Sequence, residues 1–190
     1  MKKIILLAAG LLMTSTALLA QTKWKVDKAH AKIGFTVRHM MLSDVDGNFK
    51  KFDATIISSK PDFSDAVYEI TIDVASINTD NETRDNDLKS EKYFDAAKYP
   101  EITFKSTAVE KKGENTYKVT GNLTMHGITK PVTLEVKLNG TGTSPMTHKP
   151  AAGFKVSGSL DRTDFKIGSV PAAMIGDKIE LRANGEFGQE

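Results

Sequence analysis

At 190 residues the chain is long enough for one domain with a substantial core and room for a cavity. It contains no cysteine, which excludes a disulfide framework, a thiolate metal site and a lipid-anchored cysteine. The 26 Lys and Arg against 24 Asp and Glu give a formal charge of +2, and Lys2 and Lys3 account for that excess; no basic face of the kind that binds nucleic acid is expected.

Lys2 and Lys3 precede the apolar run Ile4 to Leu12, which continues to Ala17-Leu18-Leu19-Ala20. A charged start, an apolar middle and a small residue at the cut are the layout of a secretory signal. Cleavage is expected after Ala20, although Leu18 is large for its position. The expected organisation is therefore a signal peptide over 1–20 and a single exported, periplasmic domain over 21–190. The run is short of the roughly 20 good apolar residues that span a bilayer, so no stable membrane insertion is expected.

From Ala31 to His39 the chain alternates strictly, with Ala31, Ile33, Phe35, Val37 and His39 on one face. This period of two marks a strand wet on one side. Ser43 to Gly47 reads as a turn, and Phe49 to Ile57 as a second, less cleanly patterned strand, broken at Pro61-Asp62. Tyr68, Ile70, Ile72 and Val74 make the next alternating face.

Thr79 to Pro100 interrupts this pattern. Ten of its 22 residues are charged, and Leu88, Tyr93, Phe94, Ala96, Ala97 and Tyr99 supply its apolar surface. Thr79 and Glu82 stand at capping-box spacing, so a short helix is expected from about Asp80, with a second starting near Ser90 and an end forced before Pro100. Such an insertion is a strap or a lid, and the lid is the better reading. On the expected helix Arg84 and Leu88 share a face turned to whatever the strands enclose, while Glu82, Asp85, Lys89 and Lys92 face solvent. Arg84 suits either a carboxylate partner or a phosphate-like head group.

After the insertion the alternation resumes at Ile102 to Ala108. It continues through Tyr117 to Met125, Val132 to Leu138, Phe154 to Leu160 and Ile179 to Phe187, with a Gly-, Thr-, Ser- and Pro-rich loop from Asn139 to Pro150. About eight one-faced strands must hide their apolar faces in a closed barrel or a two-sheet sandwich. The single polar helical stretch and the glycines inside strand patterns, Gly34, Gly121, Gly158 and Gly185, favour the barrel. Eight strands enclose either packed side chains or one small ligand.

Catalytic signals are thin. No Gly-x-Ser-x-Gly elbow is present, and the four histidines are not spaced to converge: His30 and His39 are nine apart, and His126 faces away from its strand's apolar set. No metal, cofactor or catalytic residue is expected.

Several blocks, in order, carry a family resemblance: Trp24 to His30 running into Ile33 to His39; Val45-Asp46-Gly47-Asn48-Phe49; Arg84-Asp85 with Leu88-Lys89-Ser90 and Tyr93-Phe94-Asp95; Tyr99 to Phe104; Gly121 to Val132; and Asp161 to Phe165. Over essentially its whole length after the signal, the chain resembles the YceI-like proteins, exported lipocalin-like barrels. The resemblance implies an all-β fold, an eight-stranded antiparallel lipocalin-like barrel with a short helical insertion between strands. It further implies an elongated apolar interior holding an amphipathic isoprenoid-type lipid; it does not imply an established enzymatic reaction. Three positions depart from the family pattern: Asp87 stands for a histidine, Ala31 for a serine and Lys166 for a glycine. Asp87 argues against an anionic head group beside it.

The expected function is a binding or carrier protein for a polyisoprenoid or isoprenoid quinone. The alternatives are an enzyme or isomerase with a histidine base, and a packed stress-related interaction module. The candidate ligand-binding residues are Phe35, Val37, Tyr68, Ile70, Ile72, Phe104, Leu123, Leu134, Val136, Phe154 and Leu181 from the strands, with His39, Arg84, Leu88 and Phe94 beside them. A homodimer is compatible with this pattern.

Overall fold

The alternating runs become strands in the computed structural model, which describes residues 21–190; the signal peptide expected over 1–20 lies outside the described residues. The first strands are β1 (Thr22–His39), β2 (Ser43–Phe49), β3 (Phe52–Ser58), β4 (Val67–Asp73) and β5 (Ile77–Asn78), followed by helix α1 (Glu82–Lys89). After the helix come β6 (Glu101–Gly113), β7 (Thr116–Met125), β8 (Ile128–Thr143), β9 (Pro150–Asp161) and β10 (Ile175–Gln189).

β2 and β3 are two arms of one bent strand. β3 pairs with the start of β1, Thr22 opposite Ser58, and β2 with its end, His39 opposite Ser43. β4 and β5 are likewise joined through a 3-10 turn at Val74–Ser76, and β5 pairs with β2. Eight antiparallel strands result, each beside the next in chain order, and β10 returns to pair with β1. Closure removes the long open edges of a sheet, leaving only the two-residue β5 paired on one side. The sandwich alternative is thereby set aside.

Three local expectations are corrected. Ser43 to Gly47 is strand rather than turn, because Gly47 lies opposite Phe35 and lets its ring lie over the backbone; a Cβ there would come within 2.2 Å of the ring. The polar residues that suggested a turn face outward, Asp46 accepting from the Thr36 hydroxyl at 2.6 Å and pairing with Arg182. β1 also starts nine residues earlier than its clean alternation, since a bulge sets Asp27 to His30 opposite Glu186 alone and hides the period. Finally, no second helix follows Ser90: residues 91–94 and 96–98 form turns.

One end of the barrel is filled. Phe63, from the loop between β3 and β4, is 1% exposed and sits edge-on to Trp24 and Phe154, with ring centroids 5.1 and 5.0 Å away. Its φ of 57° is costly for a bulky residue, and burial between two aromatic rings offsets that cost. Tyr117 ties the loop down by donating its hydroxyl to the Asp62 carbonyl, and Lys111 pairs with Asp62 at 3.0 Å.

Candidate ligand-binding site

Beyond this aromatic plug the inward side chains leave space. Ile33, Phe35 and Val37 on β1, and Ile179 and Leu181 on β10, point inward yet are only partly buried. They line an apolar cavity of about 610 Å³, within the range of lipid- and cofactor-sized sites. Ile70, Ile72, Ile102, Phe104, Leu123 and Leu134 continue its wall on β4, β6, β7 and β8. Phe104 lies flat on Gly121, where a Cβ would meet its ring at 2.4 Å, and Leu134 lies on Gly158 in the same way. These glycines thus let wall side chains fold back onto the sheet and keep the interior open.

The insertion crosses the open end. Phe94 stands edge-on to Phe49, centroids 6.3 Å apart; Tyr93 lies against Gly168; Tyr99 stacks edge-on to His126 at 4.7 Å. Arg84, Asp87, Leu88, Tyr93 and Phe94 face the cavity from the insertion, and His39 from the end of β1. Arg84 donates from Nε to the Thr79 hydroxyl at 2.7 Å and from Nη2 to the Thr79 carbonyl at 2.8 Å. That hydroxyl in turn donates to Asp85 Oδ1 at 2.6 Å, which also accepts from the Thr79 backbone N–H at 2.8 Å. The guanidinium is therefore held by Thr79 with Nη1 directed at no protein acceptor among the described residues.

Two expectations for the helix fail here. The helix is capped by Asn81, whose side chain accepts from Arg84 N–H, because Thr79 is committed to Asp85. Asp85 does not face solvent: it is 6% exposed, and both its Thr79 bonds go to the strand end that precedes the helix. Glu82 and Lys92 are exposed as expected, and Lys89 is half-buried.

Of the fifteen candidate binding residues, Phe35, Val37, His39, Ile70, Ile72 and Arg84 line the cavity, as do Leu88, Phe94, Phe104, Leu123, Leu134 and Leu181. Tyr68, Val136 and Phe154 lie outside the lining, packed in the core at the filled end. Alternation assigns a side chain to the inside without saying how far along the barrel it sits. The sequence reading missed Arg162, which is 3% exposed yet lines the mouth. It donates to the carbonyls of Ile167, Gly168, Val170, Ile175 and Gly176 and pairs with Asp177 at 2.8 Å, fixing the loop that borders the opening. A lone arginine after a strand carried no signal of that role.

The histidines do not assemble. His39 alone faces the cavity, and His126 Nδ1 bonds to the Phe165 carbonyl at 3.1 Å. His30 lies in the β1 bulge, exposed, with Nδ1 2.8 Å from Asp27 Oδ2. Asp27, His30 and Glu186 bring ligand-type atoms within 4.8 Å of one another on the outer surface, away from the cavity. The hydrogen bond that the protonated His30 donates to Asp27, then the charge of Asp27, raises the His30 pKa, and the same bond lowers that of Asp27.

Comparison with known proteins agrees with this architecture. A curated relative, protein YceI of Salmonella newport, is 39% identical over 170 residues, 88% of each chain. The crystal structure of BcnA from Burkholderia cenocepacia superposes with a TM-score of 0.76 at 27% identity, covering 85% of this chain and 98% of that one. A polyisoprenoid binding domain from Saccharophagus degradans shares the fold alone, with a TM-score of 0.63 at 14% identity over 88% and 98% of the two chains. The family model for the YceI-like domain matches residues 24–187, and the chain belongs to the YceI-like family.

Proposed function

We propose that this chain is a periplasmic binding or carrier protein that holds the chain of a long amphipathic lipid, of polyisoprenoid or isoprenoid quinone type, inside its barrel. The observation that carries the reading is the cavity of about 610 Å³, walled mostly by aliphatic and aromatic side chains, with Thr79, Asn81, Arg84 and Asp87 of the insertion among its few polar lining residues. Such a site takes an apolar tail inward and leaves a head group at Arg84, Thr79, Asn81 and Asp87. Each buried methylene of the tail favours binding by about 0.8 kcal/mol. The ligand class follows the family resemblance and the name of the Saccharophagus degradans domain; export follows the signal layout of residues 1–20.

The enzyme reading is the weaker one, because a histidine base would need a partner in the cavity and His39 stands there without a hydrogen-bonded one among the described residues. The packed-module reading is disfavoured by the open interior. Organic extraction of protein purified from its native periplasm, followed by mass spectrometry, is the test. Recovery of one prenyl-chain lipid in near-stoichiometric amount is expected; no lipid, together with no binding of prenyl analogues, overturns the proposal.

A further inference from the structure

The apolar wall of the cavity continues out of the mouth. Val37 and His39 line it from β1 and Ile175 from β10, and both strands lead directly into loop tips, Met40-Met41-Leu42 and Pro171-Ala172-Ala173-Met174. The tips are joined, Met40 N–H donating to the Met174 carbonyl at 2.8 Å. Met40, Met41, Leu42 and Met174 are 54, 66, 81 and 54% exposed. Residues 167–176 contain no charged side chain, in a chain that is 26% charged.

The backbone makes this surface harder to explain by folding alone. The His39–Leu42 turn is closed by Leu42 N–H to the His39 carbonyl at 3.0 Å, and Met40 and Met41 have φ of 50° and 58°. Two consecutive left-handed residues are what Asn-Gly supplies in a tight hairpin. Methionine pays a steric cost there and a hydration cost for its exposed side chain. Strain combined with exposure points to use of the side chains.

We infer that the two tips insert into the surface of a phospholipid bilayer, so that the cavity loads and unloads mouth-first at the membrane. The inference rests on the carrier reading for its reason: each methylene of a lipid tail crossing water costs about fourfold in equilibrium, and continuity of the apolar wall with the tips removes that crossing. A second copy of the chain fits the patch less well. Four aliphatic side chains on protruding tips cover only a fraction of the about 800 Å² per partner of a stable interface, whereas a bilayer requires no complementary shape. Charges on the strands that carry the tips are paired off: Arg38 with Asp44 and Asp177 with Arg162, while Lys178 stands opposite Asp161 across the β9–β10 pair. Docking is therefore apolar, and zwitterionic lipid suffices.

The test is co-sedimentation of the domain spanning 21–190 with phosphatidylcholine vesicles, comparing the natural protein, the double variant Met41→Ser with Leu42→Ser, and Met146→Ser. Met146 is 85% exposed in the loop between β8 and β9, on the opposite end, and controls for general stickiness. Wild type and Met146→Ser should partition alike, little affected by salt. The double variant should lose about tenfold or more, the scale for one aliphatic side chain leaving an apolar phase, with an unchanged melting temperature. No partition of the wild type, or equal partition of the double variant, overturns the inference. So does vesicle-independent self-association that the double variant abolishes, which would assign the patch to a second copy. A fluorescent prenyl alcohol titrated without vesicles tests the carrier reading separately; if it does not bind while the vesicle result holds, the carrier reading falls and docking stands.

Discussion

Arg84 and Thr79 are bound twice over, the guanidinium donating to both the hydroxyl and the carbonyl of the same threonine, and the hydroxyl donating its own hydrogen bond to buried Asp85. Thr79 thus positions the charged group at the cavity mouth and satisfies the carboxylate behind it. Thr79→Val removes two hydrogen bonds to charged groups at nearly constant volume. The expected loss of stability is about 2–3 kcal/mol, read by urea denaturation, and Arg84→Gln should lose less because Asp85 keeps its partner.

Phe104 rests on the bare backbone of Gly121. The methyl group of Gly121→Ala would press on both the ring and the Lys105 carbonyl, 2.4 and 2.6 Å away, pushing the ring off the sheet and into the cavity. Overpacking of this kind costs about 1–3 kcal/mol, and binding of a prenyl probe should weaken by more than the stability loss implies. Equal affinity in a destabilised variant would show that the ligand does not reach this depth.

The Tyr68 hydroxyl is buried with no hydrogen-bond partner among the described residues, and desolvation pushes its ionisation well above the usual phenol range. Tyr68→Phe should be neutral or stabilising by up to about 1 kcal/mol, since it removes an unsatisfied polar group. Thermal denaturation checks this, and a loss of more than about 1 kcal/mol would reveal a bridging water.

Lys166 has a φ of 56°, at the end of the 3-10 turn Arg162–Phe165, where a glycine would sit without strain. Lys166→Gly should raise stability by about 0.5–1 kcal/mol, the steric relief exceeding the added freedom of the unfolded chain.

The Asp27–His30 pair sets a pH window. The His30 pKa is raised, so its contribution is complete below its ordinary 6.5 and is lost as pH rises through the raised value; that of Asp27 is lowered, so its contribution is present above its ordinary 3.8 and lost as pH falls through the lowered value. In an NMR titration His30 should titrate above 6.5, and Asp27→Asn should return it towards that value. An unmoved His30 would mean that the bond is absent in solution.

The strands and their inward faces were legible in the sequence because a pleated strand converts a period of two directly into an inside and an outside. Phe35, Val37, Ile70 and Phe104 could be named from spacing alone. Asp85 could not: a carboxylate on a polar helix reads as solvated until a strand-end hydroxyl and N–H are seen to reach it. Nor could the turn-like Ser43 to Gly47, since its register depends on Gly47 meeting Phe35 across a strand pair. Alternation is likewise silent on depth, so Tyr68 and Phe154 look like Phe104 in sequence, but Phe154 packs against Phe63 at the filled end and Tyr68 against Phe154.

What the sequence determined by itself was local: which residues alternate, where the polar insertion interrupts them, and the blocks that mark the family. Only tertiary structure decided that the sheet closes, that Phe63 plugs one end while the insertion spans the other, and that the interior stays open between them. Those features arise from contacts between residues far apart in the chain, whose distances are set by closure and packing rather than by any repeat along the backbone.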